Sequence, residues 1–349
     1  MKPSRILFIR RDNVGDLVCT TPAIRAVRQA FPVAKIGVLA NSYNAPILAG
    51  NPDIDCVYVY EKAKHASGKS RARVHLENAR TFWRLRRERY DAAIGCGSPS
   101  PRIGRFAFLA GARERIGFVD VGSGGDPAGR PYYTRPIAEP AVDEHEVIRT
   151  HRLLEPLGIA NPPGDLVLVP DPAEQERFEF ARALHPGRGG RPLIAVAISA
   201  RIERNKWPIE KFGSLIDEIV RRALGTPLLL WAPGPKTSPA FPGDDEAAGS
   251  LLSRFGDGAW GYRTETLAAL VAAVSRADLV VTPDTGTLHI AAACKKPTVA
   301  LMTREKSLRW YPWNTPHVVL ACGDQVGPVA VDEVLGAVGR LAAGLQCPR

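Results

Sequence analysis

Short apolar runs of strand length alternate with helical stretches along this chain, and the whole alternation runs twice. Ile6–Ile9, Lys35–Ala40, Cys56–Tyr60 and Asp91–Ile94 read as strands in the first half. Helices from about Asp16 to Ala30 and around Ala79–Arg89 lie between them. Leu193–Ile198, Pro227–Trp231, Leu279–Val281 and Thr298–Met302 repeat the strand pattern in the second half. The helices there are Pro208–Ala223, Thr264–Ser275, Thr285–Cys294 and a closing Val331–Leu345. A continuous apolar run fits a strand covered on both faces. Parallel neighbours need a crossover, and a helix supplies it, so the expected class is α/β with parallel sheets. Gly122–Pro140 reads as a Gly- and Pro-rich loop, and Glu144–Leu157 as a helix with Leu153 and Leu154 inward. Ile159–Pro172 holds four prolines and marks a boundary between domains 1–165 and 166–349. A length of 349 residues agrees, at roughly 150 residues per domain. Two such domains create a cleft, where ligands tend to bind.

Composition narrows the function. Hydrophobic residues make up 45% and charged residues 23%, which argues against disorder. The apolar run Ile6–Ile9 is too short for a signal-peptide core, and no stretch reaches the roughly 20 apolar residues of a membrane span. The expected location is therefore the cytoplasm. Cys19, Cys56, Cys96, Cys294, Cys322 and Cys347 form no C-x-x-C pair, so buried free thiols are expected rather than disulfides or zinc. A net charge of +10 points to an anionic partner. Much of it lies in the first half, in Arg84, Arg86, Arg87 and Arg89 and in Arg102, Arg105, Arg113 and Arg115. For any single arginine a solvated helix face is the plain alternative.

Two strand-to-helix junctions carry chemistry. In the second half, Leu279–Val281 runs into Asp284-Thr285-Gly286-Thr287-Leu288-His289 and then a helix of small residues. The junction lies at the carboxyl end of a parallel strand, the ligand edge of an open α/β sheet. Helix-start amides attract phosphate, Gly286 lets an anion approach the backbone, and Thr285 and Thr287 add hydroxyls. His289 lies in the first turn. The alternative for Asp284 alone is an N-cap. In the first half, Asn13-Val14-Gly15-Asp16 follows the first strand. Gly15 permits a tight turn, and a carboxylate at Asp16 can accept a proton from a substrate hydroxyl. An N-cap is the alternative here too.

These segments resemble glycosyltransferase family 9, the heptosyltransferases of lipopolysaccharide inner-core assembly. The likeness covers nearly the whole chain. It includes Ile6–Arg10 through Gly15-Asp16 to Thr21-Pro22-Ala23, then His145-x-x-x-Arg149 with Leu153-Leu154 and Leu157-Gly158. Lys206-Trp207-Pro208 with Phe212, Asp284-Thr285-Gly286-x-x-His289 and Tyr311-Pro312-Trp313 complete it. The resemblance implies a GT-B fold of two Rossmann-like domains facing a cleft. The N-terminal domain would bind the acceptor and the C-terminal domain the nucleotide sugar. It implies an inverting transfer of heptose from ADP-L-glycero-D-manno-heptose to a phosphorylated lipid A–core acceptor, with no metal and no cofactor. The acceptor being a glycolipid, a peripheral site at the inner face of the cytoplasmic membrane follows. By position, Asp16 is the general base and Lys206 the cation on the leaving diphosphate. Ser199, Arg201, Lys206, Asp284, Thr285, Gly286, Thr287 and His289 fall on the donor side. Asn13, Gly15, His145 and Arg149 fall on the acceptor side, with a surface helix as the alternative for the last pair.

The sequence departs from the family where a phosphate-binding lysine is common, two residues before the Trp of Trp-Pro. Asn205 stands there, so Lys206, Arg201 or Arg204 must supply the charge. Ala232-Pro233-Gly234-Pro235-Lys236 replaces a Gly-rich turn, and the polar stretch Thr237–Glu246, with Asp244-Asp245-Glu246, reads as solvated. Asp53-Ile54-Asp55 resembles a D-x-D metal motif but sits at a loop and strand start, and Gly95, Gly97 and Gly104 do not make a dinucleotide fingerprint. Two other classes remain open at this point: a nucleotide-sugar epimerase, which shares the architecture but needs further acid–base groups, and a nucleic-acid-binding protein, which the charge alone suggests.

Overall fold

The computed structural model describes residues 3–62, 70–120, 130–140, 144–185, 191–238 and 242–345. Cys347 and parts of two expected loops, 121–129 and 239–241, lie outside these residues. The chain divides into two compact units, 1–169 and 170–349.

In unit 1 the elements run β1 (Arg5–Ile9), α1 (Val14–Val18), α2 (Thr21–Ala30), β2 (Lys35–Asn41), β3 (Cys56–Tyr60), α3 (Arg71–Glu88) and β4 (Ala92–Gly95). Then come α4 (Pro101–Leu109), β5 (Glu114–Val119), β6 (Arg135–Ala138) and α5 (Glu146–Arg152). The six strands are all parallel, in the order β3-β2-β1-β4-β5-β6. Unit 2 holds α6 (Pro172–Leu184), β7 (Leu193–Ala197), α7 (Ile209–Arg221), β8 (Thr226–Trp231), α8 (Asp245–Phe255) and β9 (Trp260–Arg263). It continues through α9 (Leu267–Arg276), β10 (Leu279–Pro283), α10 (Gly286–Ala293), β11 (Thr298–Met302), α11 (Arg304–Arg309), β12 (His317–Ala321) and α12 (Val331–Leu345). Its parallel sheet has the order β12-β11-β10-β7-β8-β9. Both sheets therefore have the same winding: the first strand of each unit lies beside the fourth, β1 against β4 and β7 against β10. The chain reverses direction across the sheet at that pair, which leaves a crevice at the carboxyl edge where ligands settle. The expected α/β class of two Rossmann-like sheets is what the chain forms.

Central strands are fully apolar because helices cover both faces. Ile6–Ile9, Leu193–Ala197 and Leu279–Val281 are buried throughout. The unit 2 core gathers Trp207, Phe212, Leu229 and Val281. Trp207 stacks edge-on against Phe212 at 4.8 Å and donates its indole N–H to the Val329 carbonyl at 3.0 Å. An indole needs such a partner when buried.

Several expectations need correction. The helix from Asp16 to Ala30 is two helices: Cys19 ends the first, Thr20 precedes the second with its hydroxyl on the Asp16 carbonyl at 2.9 Å, and Pro22 sits in the first turn of the second. Glu144–Leu157 yields only the helix Glu146–Arg152 and a short turn, although Leu153 and Leu154 are buried as expected. Gly122–Pro140 is not all loop, because β6 lies within it. Thr237–Glu246 likewise runs into α8. Among the thiols, Cys19 and Cys96 are buried, Cys56 and Cys294 half-buried, and Cys322 exposed. Among the described residues no helix is long and apolar enough to cross a membrane.

Gly95 and Gly117 sit opposite each other on β4 and β5. Their missing side chains form a slot for Tyr133: a Cβ on Gly117 would fall within its ring. A rigid ring in a filled core has no room to yield, so Gly117→Ala should lower stability by roughly 1–3 kcal/mol. Denaturant unfolding tests this. An unchanged midpoint would show that Tyr133 is not fixed on the sheet.

Candidate active site

The unit 1 site grows from the end of β1. Arg10 continues an apolar strand, yet its side chain is only 2% exposed. A buried guanidinium must be paired, and it meets three carboxylates. Arg10 donates to Glu146 at 2.8 Å and to Asp16 at 2.7 Å, and its Nε lies 3.3 Å from Asp12. Burial alone would lower the Arg10 pKa. Glu146, Asp16 and Asp12 outweigh burial and hold it above the ordinary arginine value. The Asp12 pKa is raised too: its burial, with Asp16 nearby, outweighs the pull of Arg10.

Local geometry fixes Asp16 as well. It is the third residue of α1, and its second oxygen accepts the Asn13 backbone N–H at 3.1 Å. The carboxylate is therefore held from two sides while its side chain stays 16% exposed. Gly15 is buried within the helix rather than forming a turn. On the neighbouring strand, Gly97 has φ +120°, a conformation that favours glycine, and a Cβ there would press on Asp12 at 3.0 Å. The β1 and β4 loops thus meet around Arg10.

The far side of the cluster comes from α5. His145 caps this helix, its Nδ1 accepting the Val147 N–H at 3.2 Å. His145, Glu146 and Arg149 are all buried, so the surface-helix alternative is wrong. Arg149 pairs with Glu139 and lies 3.7 Å from Glu146. Two arginines thus face the four carboxylates Asp12, Asp16, Glu139 and Glu146. The sequence reading placed Asp16, His145 and Arg149 but missed Arg10, Glu139 and Glu146. An arginine pair, Arg10-Arg11, closing an apolar strand was the available signal.

The unit 2 site occupies the equivalent crevice, between the loops after β7 and β10. Asp284 follows β10, and Thr285, not Asp284, caps α10. Asn205, buried in the β7 loop, donates from Nδ2 to the Asp284 carbonyl at 3.0 Å and to its carboxylate at 3.2 Å. The Asn205 Oδ1 is buried without a partner in the structure. Thr285 Oγ1 lies 3.4 Å from the Thr282 hydroxyl. The first turn of α10, with Gly286 and Thr287, therefore opens at the sheet edge with the amides that a helix start leaves unbonded. His289 is buried one turn further on, edge-on to Trp310 at 5.7 Å. Lys306 and Arg309 in turn lie over the Trp310 ring.

The expected cations lie around this site in different ways. Lys206 pairs with Glu203 at 2.7 Å on the surface, and Arg204 with Glu305 at 3.2 Å. Exposed pairs of this kind are weak and exchange readily. Arg201 is exposed. Ser199 donates to Asp244 at 2.6 Å and accepts the Ala232 N–H at 2.8 Å. Asp244 and Asp245 are thus not simply solvated. Asp245 holds the Trp231 indole, the Gly234 amide and Arg263, and chiefly Arg263 pulls its pKa down to about 2. Asp53 and Asp55 pair with Arg25 and Arg28. Among the described residues no group of three His, Cys, Asp or Glu is arranged to hold a metal.

Removing the Arg10 charge leaves its buried carboxylates facing one another. Arg10→Met should cost about 3–5 kcal/mol at neutral pH. The orphaned acids would have raised folded pKa values, so the folded state binds extra protons and stability recovers as pH falls. Thermal melts across the acidic range check this, with Arg10→Lys as the milder variant. A deficit independent of pH would mean that the arginine acts by packing alone.

Known proteins resemble this chain in sequence and in fold. Residues 79–328 match the model of glycosyltransferase family 9 (heptosyltransferase). Lipopolysaccharide heptosyltransferase 3 of Escherichia coli is 26% identical over 320 residues, covering 89% of this chain and 86% of that protein. The crystal structure of a family 9 glycosyl transferase from Veillonella parvula superposes with a TM-score of 0.81 at 20% identity, over 98% and 97% of the two chains. Escherichia coli heptosyltransferase WaaC with ADP-2-deoxy-2-fluoro heptose gives 0.74 at 19% identity, over 96% and 99%. The match takes in both the Glu146–Arg149 helix and the Asn205–Asp284 pair, and on that span the chain belongs to glycosyltransferase family 9, the heptosyltransferases.

Proposed function

We propose that the chain transfers heptose from ADP-L-glycero-D-manno-heptose to a sugar hydroxyl of a phosphorylated lipid A–core acceptor, with inversion and without a metal ion. The supporting observation is the Asp16 carboxylate, tethered by Arg10 and the Asn13 amide at the crevice beside β1. A tethered, partly exposed carboxylate amid surplus negative charge suits a general base. Family membership and the relative named for lipopolysaccharide support the sugar and the acceptor class.

In this reading Asp16 takes the proton of the acceptor hydroxyl as its oxygen bonds to the anomeric carbon. The bond from that carbon to the diphosphate breaks, and ADP leaves with the electron pair. The amides at Thr285, Gly286 and Thr287 take up the leaving charge, with the Thr285 and Thr287 hydroxyls and one of Lys206, Arg201 and Arg204. Lys206 first has to exchange Glu203 for phosphate. Asn205 holds Asp284 in place of a lysine, so the cation acts from beside the site. His289 contacts the donor near its sugar. Asn13 and Gly15 present the acceptor loop, while His145 and Arg149 act through Glu146 to keep Arg10 on Asp16. Because the acceptor is a glycolipid, the work is done at the inner face of the cytoplasmic membrane.

Asp16→Asn should lower kcat by about 10²–10⁴-fold. ADP binding should persist, because Asp16 belongs to the other unit from the donor site. Near-normal turnover in this variant would exclude the base role. Thermal shifts discriminate the donor, since stabilisation follows ligand affinity. ADP-heptose is expected to raise the Tm more than UDP- or GDP-sugars, and an equal response to all three would reject an ADP-specific site. Epimerisation of the nucleotide sugar with no acceptor present would favour the epimerase instead.

A further inference from the structure

Helix α3 buries one face and leaves the opposite one uncommitted. Val74 and Leu85 point into unit 1, and Phe82 packs against Phe106 of α4 at 5.0 Å. At 100° per residue, Leu76 and Trp83 fall at the centre of the opposite face, two turns apart. They are 52% and 59% exposed. Arg80, Arg84 and Arg87 flank them on the same arc and are exposed. Arg87 lies 4.6 Å over the Trp83 ring. The two acids of α3 lie at the edge of that arc and are paired, Glu77 with Arg73 at 3.1 Å and Glu88 with Lys35 at 2.7 Å. Beside it, α4 repeats the pattern: Arg102, Arg105 and Phe108 are exposed at a three-residue spacing, with Phe108 at 51%.

From this surface we infer that α3 and α4 form a docking face for the anionic surface of a phospholipid bilayer. An arginine-rich helix face with tryptophan and leucine at its centre suits the interface, where apolar side chains reach the acyl boundary and cations meet lipid phosphates. Nucleic acid fits less well. Its phosphates would satisfy the arginines but give Leu76 nothing, and α3 offers one exposed aromatic ring rather than a stacking row. This face contains none of the site residues. It rests on the proposed function only for its lipid-linked acceptor.

The test uses the full chain and no substrate. Co-sedimentation is measured with vesicles of phosphatidylcholine alone and of phosphatidylcholine mixed with phosphatidylglycerol. Binding is expected only with phosphatidylglycerol and should weaken with salt. Each arginine near such a surface contributes about fivefold in affinity, so combined Arg80→Gln, Arg84→Gln and Arg87→Gln should lose on the order of 100-fold. Trp83→Ala should lose roughly tenfold. A control removing the same charge from unit 2, at Arg221, Arg222 and Arg254, should bind as the wild type does. Circular dichroism melts confirm that each variant folds. Equal binding to neutral vesicles, or equal loss in the control, would overturn the inference. Retention on single-stranded nucleic acid without vesicle binding would overturn it too and reassign the face. Turnover on a soluble acceptor fragment is read separately, so failure of the transfer reading and failure of the docking face are distinguishable.

Discussion

A guanidinium withdrawn from water has to be neutralised where it stands, and the unit 1 site is built around that requirement. Arg10 joins the end of β1 to Asp16 in α1 and to Glu146 in α5. Each partner constrains the other: the arginine cannot be buried without the acids, and the acids cannot crowd together without the arginine. The partly exposed Asp16 carboxylate is thus aimed by a buried guanidinium on one side and the Asn13 amide on the other. Arg149 and Glu139 extend the same pairing outward.

Unit 2 solves a similar problem with neutral groups. Asn205 reaches from the β7 loop to both the carbonyl and the carboxylate of Asp284. An amide fixes the loop without adding charge, so in the proposed transfer the leaving diphosphate must find its cation elsewhere. The helix start supplies partial charge, and the paired Lys206 and Arg204 form a reserve at the surface. The two units share one winding, and each places its site beside its own first strand, where the sheet order reverses. That common position follows from strand order alone.

The chain carries a positive balance that the side chains of the two candidate sites do not account for. Arginines concentrate on α3 and α4, away from the pairs around Asp16 and Asp284. The charge on α3 and α4 and the Arg10–Asp16 cluster after β1 are separate features of unit 1, carried by different residues.

The amino-acid sequence by itself determined the central strands, because buried parallel strands must be apolar throughout and this pattern is local. Ile6–Ile9, Leu193–Ala197 and Thr298–Met302 were legible for that reason; the edge strand Cys56–Tyr60 and the Asp16 and Asp284 junctions were legible from their own local sequence. The edge strands β6, β9 and β12 were not: Arg135–Ala138, Trp260–Arg263 and His317–Ala321 are only partly covered and carry polar residues. Helix α8 hid within an acidic stretch whose carboxylates prove to be partners of Ser199, Trp231 and Arg263. Only the tertiary structure decided that Arg10 meets Glu146, 136 residues away, and that Asn205 meets Asp284. Pairing across such separations leaves no periodic trace, because it depends on which loops the sheet order brings together.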